Sequence, residues 1–146
     1  MKRNKLALLG LVAAFPVLSG QSCANLADLF GPGIVVTLVN NADDDVRVTI
    51  AYSSNPSISE SDLRDSGTEI EITVPDGESR TFRRNCLDMR AVMVKSAQLE
   101  VIGDVGPITD SEVIREGQGS PMLVCQGFLT FTFQSSNPLD LDVTAN

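Results

Sequence analysis

The residues best equipped for chemistry in this sequence are three cysteines, Cys23, Cys86 and Cys125, and no histidine accompanies them. Imidazole triads, histidine general bases and histidine-bearing zinc sites are therefore excluded. Cys86 and Cys125 flank apolar stretches and read as a disulfide, because outside the cytoplasm a lone cysteine pair in a small domain is normally oxidised. Closing a loop of that length stabilises a fold by roughly 4 kcal/mol in the chain-entropy model. The alternative is a pair of free buried thiols. Committed thiols leave no thiol nucleophile. Gly117 and Gly119 are not followed by the Lys-Ser/Thr of a phosphate-binding loop. Carboxylate pairs do acid/base work only where a pocket raises one pKa, and the sequence points to no pocket. The chain reads as non-enzymatic, with no cofactor.

Two further clusters carry weaker signals. Asn40-Asn41-Ala42-Asp43-Asp44-Asp45 gathers oxygen-bearing side chains at one turn, and hard cations such as calcium prefer oxygen ligands. Asn41, Asp43, Asp44 and Asp45 are the candidate ligands. The run lacks the spacing and the terminal glutamate of a calcium loop, and Asn and Asp are also what a hairpin tip favours. Arg80, Arg83, Arg84 and Arg90 form a basic island in an acidic chain. They are a candidate anion or partner patch, or they balance Glu69 and Glu71.

The first two dozen residues read as an address. Lys2, Arg3 and Lys5 precede an apolar run of 13 residues, Leu6 to Leu18, and then the small Ser19, Gly20 and Ser22. That order is a secretory signal peptide, residues 1–22. The run is too short to span a bilayer, which needs about 20 residues. Leu18-Ser19-Gly20-Gln21-Ser22-Cys23 resembles the end of a bacterial lipoprotein signal, whose cysteine becomes the lipidated first residue. It departs from that pattern at Gly20, where a large aliphatic is usual, and at Gln21. Ordinary cleavage after Ser22 or Ala24 also fits. A lipid on Cys23 explains the odd cysteine and would be the chain's one attachment to a membrane.

Loss of the signal takes away Lys2, Arg3 and Lys5, so 11 basic residues become eight against 19 acidic ones, a net charge of −11. Such a surface repels phosphate backbones and anionic head groups, which argues against nucleic acid as a partner.

The elements that position these residues read as β. After a tether, residues 23–33, Ile34 to Asn40 is β-branched and apolar on both faces. Val46, Val48, Ile50 and Tyr52 alternate with polar or small residues, and these two strands suggest a hairpin. Ser53 to Gly67 is a polar loop with a helical turn at Ser59 to Arg64, capped by Ser59 with Asp62 three residues on. Glu69 to Arg84 reads as a second hairpin about Pro75-Asp76-Gly77, with Ile70 opposite Phe82 and Glu69 opposite Arg83. Ala91 to Ile102 changes its inward parity, as two short strands or as one strand with a bulge near Lys95-Ser96. A helix over Leu87 to Leu99 is the alternative. Thr109 to Arg115 suggests a short edge strand. Leu129, Phe131 and Phe133 make Phe128 to Gln134 a core strand. Residues 135–146 suggest a loosely held acidic tail.

The expected fold is all-β: a small antiparallel β-sandwich, or partly open barrel, of about seven to nine short strands with one disulfide, over residues 34–134. Cys86 and Cys125 should share one rim, on antiparallel strands. In its signal and general layout the chain resembles the many small secreted or lipid-anchored β proteins of bacterial envelopes, a resemblance that carries no functional residues. The expected role is a non-enzymatic extracytoplasmic domain (periplasmic, at the outer membrane or secreted) that binds an envelope component or serves structurally. The second reading is an accessory carbohydrate- or cation-binding module.

Overall fold

The computed structural model describes residues 31–99, 112–135 and 139–146. The expected signal peptide, Cys23, most of the tether and the start of the expected strand at Thr109 to Arg115 lie outside the described residues. Eight strands and one short helix are described: β1 (Gly33–Asn41), β2 (Val46–Ser53), α1 (Glu60–Ser66), β3 (Thr68–Val74), β4 (Ser79–Asn85), β5 (Ala91–Leu99), β6 (Ile114–Arg115), β7 (Phe128–Gln134) and β8 (Asp140–Ala145). They form two four-stranded sheets, in the orders β4-β1-β7-β8 and β3-β2-β5-β6. Neighbours are antiparallel except β1 and β7, which run parallel. The fold is the small all-β sandwich that the strand pattern implies.

Period-two burial builds the core. Ile34, Val36 and Leu38 of β1 face Val46, Val48 and Ile50 of β2 across the sandwich, with Val92, Val94 and Ala97 of β5 and Leu129, Phe131 and Phe133 of β7 filling the layer between. The parity change in β5 is a bulge within one strand. Thr49 pairs with Ser96 and Ile50 with Val94, so Lys95 is the extra residue. This returns Ala97 to the core and rules out a helix over Leu87 to Leu99.

Helix α1 forms where the loop suggested one. The Ser59 hydroxyl accepts from the Asp62 amide at 3.1 Å, and Arg64 pairs with Glu60 one turn back at 3.1 Å. Leu63 is fully buried with Ala51, Ala91 and Met93, residues whose parity turns them away from the main core. The helix therefore covers the outer face of the second sheet and makes a small second core there.

Three expectations are corrected. Neither hairpin exists. Strand β1 pairs with β4 and β7, whereas β2 pairs with β3 and β5. The turns at Asn40 to Asp45 and at Pro75 to Glu78 thus carry the chain from one sheet to the other. The second turn has the expected chemistry: Gly77 sits at φ 65°, and the Glu78 amide donates to the Pro75 carbonyl at 3.0 Å. Ile70 pairs with Ile50 and Phe82 with Val36, in different sheets. Glu69 meets Lys95 at 2.5 Å and Glu71 meets Arg47 at 3.8 Å, so neither balances the arginines of β4. Last, the acidic tail holds an edge strand. Strand β8 pairs with β7, Leu139 is buried, and Leu141, Val143 and Ala145 pack on the core. Of the expected edge strand over Thr109 to Arg115, residues 112–115 are described, and among these Ile114 and Arg115 pair with β5.

Candidate functional site

The strands run between two rims of different chemistry. At one rim β1 and β7 begin, and β4 and β8 end. Here Cys86 and Cys125 form a disulfide with Cα atoms 5.4 Å apart, within the range a bridge requires. Strand β1 lies between the strands they flank, antiparallel to β4 and parallel to β7. Strands β4 and β7 therefore run antiparallel, as expected, and the bridge spans the start of β1. Backbone bonds close the rim further. Cys86 donates to Pro32 at 3.1 Å, Val35 to Gly127 at 3.1 Å, and Phe128 and Asn146 exchange bonds of 2.8 and 3.0 Å. A Cβ on Gly127 would lie 2.7 Å from the Asn146 carbonyl oxygen and 2.9 Å from that of Val124. Only glycine fits that approach.

This rim also carries the exposed apolar side chains. Leu87 follows Cys86 and is 72% exposed; Val124 precedes Cys125 and is 46% exposed; Phe128 opens β7 at 59% and Met122 stands at 40%. The sequence reading missed this set. Its signals were an apolar residue at outward parity, Phe128 beside the inward Leu129, and a leucine between Cys86 and Asp88 in the turn that follows β4.

The opposite rim is acidic. Its turns hold Asp43, Asp44, Asp45, Asp76 and Glu78, with Asp140 at the start of β8. The candidate cation ligands do not converge there. Asp44 Oδ1 accepts from the Asp45 amide at 2.8 Å, Asp45 Oδ1 accepts from the Asp76 amide at 3.0 Å, and Asp43 Oδ2 accepts from the Ser135 hydroxyl at 3.0 Å. Asn41 is exposed at the end of β1. Among the described residues, no group of three or more acids or cysteines is placed to hold a metal ion. The cluster's fully buried member is Asn40. Its amide nitrogen donates to the carbonyls of Asp44 at 2.7 Å and Val74 at 2.9 Å, and its oxygen accepts from the Ala42 amide at 2.9 Å. This run builds a crossover turn.

The four arginines are split: Arg80 stands apart, and Arg83, Arg84 and Arg90 lie toward the disulfide end with separate partners. Arg80 lies near the acidic rim and pairs with Glu78 at 2.9 Å. Arg90 pairs with Glu116 at 2.5 Å. Arg83 and Arg84 point to opposite faces of β4, at its disulfide end. Arg83 donates to the Gly31 carbonyl at 3.0 Å, and Arg84 lies 5.9 Å from the Tyr52 ring and 5.5 Å from the Phe82 ring, within cation–π range.

No protein-family model matches the chain, and no curated protein matches it in sequence. Among solved structures it is similar to the T6SS lipoprotein TssJ1 from Pseudomonas aeruginosa, with a TM-score of 0.47 and 14% identity over 80% of this chain and 97% of that one. It is also similar to Serratia marcescens Lip, a membrane-bound component of the type VI secretion system, with a TM-score of 0.40 and 10% identity over 76% of this chain and 97% of that one. Likeness at this level transfers no role.

Proposed function

We propose that the chain is a non-enzymatic domain of the bacterial cell envelope, exported by its N-terminal signal, held by lipid on Cys23, and acting as a binding or structural component. The observation that carries this reading is the Cys86–Cys125 disulfide. Such a bond persists in an oxidising compartment, which is where the basic-apolar-small start of the chain would deliver it. With that pair committed, Cys23 is the one cysteine left for an anchor. The cation-binding alternative is weakened because the turn carboxylates are engaged by amides and a hydroxyl. The sugar-binding alternative is weakly supplied with stacking rings: there is no Trp, the single tyrosine, Tyr52, is half-buried beside Arg84, and Phe128 is the exposed aromatic among the described residues.

The test is the intact mass of protein purified from the membranes of its native host. The expected mature chain begins at Cys23 and carries acyl mass, with Cys86 and Cys125 oxidised. A chain that starts after Ala24, or one with no added lipid, sinks the anchor. Free thiols at both Cys86 and Cys125 sink the compartment.

A further inference from the structure

We propose that the disulfide rim faces the lipid bilayer, with Leu87, Val124 and Phe128 seated among the head groups. This deepens the anchored-envelope reading and rests on it. Three observations converge. The first is the exposed apolar set: Leu87, Phe128, Val124 and Met122 all lie at one end of the sandwich, and they are the large apolar side chains left exposed among the described residues. The bridge joins Cys86 and Cys125, the chain neighbours of Leu87 and Val124, and so holds both at this rim. Apolar side chains presented together on a rigid rim are suited to the interface between head groups and acyl chains.

The second is where the chain enters the domain. Gly31 and Pro32 are fixed at this same rim, by Arg83 and by the Cys86 amide. Seven residues lie between Cys23 and Gly31, and the eight steps from one to the other reach at most about 29 Å when fully extended. An anchor on Cys23 therefore joins the domain at this rim and holds it within about 29 Å of the membrane.

The third is the distribution of charge. Asp43, Asp44, Asp45, Asp76, Glu78 and Asp140 lie at the far rim, one strand length away, roughly 23–30 Å. At the apolar rim Arg83 and Arg84 stand against Asp88, and Arg90 is paired with Glu116; Glu60, Asp62 and Asp65 belong to α1, which joins β2 to β3 at this end but lies on the outer face of the second sheet. With the apolar rim toward lipid, the carboxylate-dense turns of the far rim face away from the head groups.

The experiment uses the absence of tryptophan from the chain, which makes one introduced Trp an unambiguous reporter. Full-length Leu87→Trp, Phe128→Trp and, as control, Asp76→Trp are purified from the membranes of a lipoprotein-processing host. Each is reconstituted into phosphatidylethanolamine vesicles containing brominated phosphatidylcholine. The expected result is that Leu87→Trp and Phe128→Trp emit to the blue of the control and lose most of their emission to bromine, while Asp76→Trp keeps its own. If the protein floats with the vesicles and all three reporters emit as in water, the rim does not touch lipid; the inference is overturned while the anchor stands, and the rim is left to a protein partner. If none of the proteins floats with the vesicles, the anchored reading is overturned and this inference with it.

Discussion

The side-chain amide of Asn40 donates to the Val74 carbonyl at 2.9 Å and so ties the last inward position of β1 to the end of β3 in the opposite sheet. The sandwich is therefore pinned at both ends. At one rim the pin is covalent, between Cys86 and Cys125; at the other it is a buried amide that uses both of its polar atoms.

Asn40→Ala removes three hydrogen bonds and strands the Ala42 amide and the Val74 carbonyl. A buried group left unpaired costs about 1–3 kcal/mol, so the expected loss of stability is about 2–4 kcal/mol. Asn40→Asp should be worse, because a carboxylate would face the carbonyls of Asp44 and Val74 with no donor to offer them. Denaturant midpoints at unchanged m-value check both. An Asn40→Ala protein as stable as the wild type would show that the amide pins nothing.

Replacing Cys86 and Cys125 together by Ala should cost roughly 2–5 kcal/mol, chiefly by freeing the unfolded chain. The two pins lie at opposite rims and share no partner. Their effects should add to within about 0.5 kcal/mol when Asn40→Ala is combined with the cysteine pair. A larger coupling energy from the double-mutant cycle would contradict independent pins. A cysteine-free protein that melts like the wild type would remove the covalent one.

How much of this was legible in the sequence depends on how local each signal is. The bulge at Lys95, the Ser59 cap and the inward faces of β2, β5 and β7 each follow from a handful of neighbouring residues, and the structure bears them out. Strand pairing does not. Ile70, Ile72 and Val74 alternate identically whether the next strand folds back in the same sheet or crosses to the facing one, since both choices point them at the same core. The strand at Asp140 to Ala145 was visible as alternation of Leu141 and Val143 with Asp140 and Asp142, but its acidity read as solvation. Asn40 followed the inward parity of Ile34, Val36 and Leu38, which marks a buried polar residue, although its partner on β3 could not be named without knowing the crossover. The apolar rim was illegible for a similar reason: Leu87, Val124 and Phe128 become one surface only when β4 and β7 end up on either side of β1.

The outer core under α1 gives a separate test. Leu63 is fully buried between the helix and the second sheet. Leu63→Ala should cost about 2–5 kcal/mol, from lost transfer energy and the cavity left behind. Ser59→Ala should cost about 1 kcal/mol through the lost cap. Hydrogen exchange should show the Leu63 change speeding exchange in α1 first, while β1 and β7 keep their protection. Uniform loss of protection would mean that α1 belongs to the main cooperative unit instead of forming a satellite on it.

The acidic rim makes its own prediction. Asp43, Asp44 and Asp45 are turned to a hydroxyl and to amides of their own turn and its neighbour, so calcium has no prepared shell to enter. A cation bound at 100 times its dissociation constant would stabilise the fold by about 2.7 kcal/mol, a shift in melting temperature of roughly 10 °C for a domain of this size. Neutralising the repulsion among the turn carboxylates is a different effect, because screening does not distinguish one divalent ion from another. Melts in calcium and in magnesium should therefore coincide, and each should lie within a degree or two of the melt in chelator at matched ionic strength. Asp44→Asn should leave that near-identity unchanged. A shift of many degrees with calcium alone, abolished by Asp44→Asn, would show that this turn rearranges into an ion-binding loop.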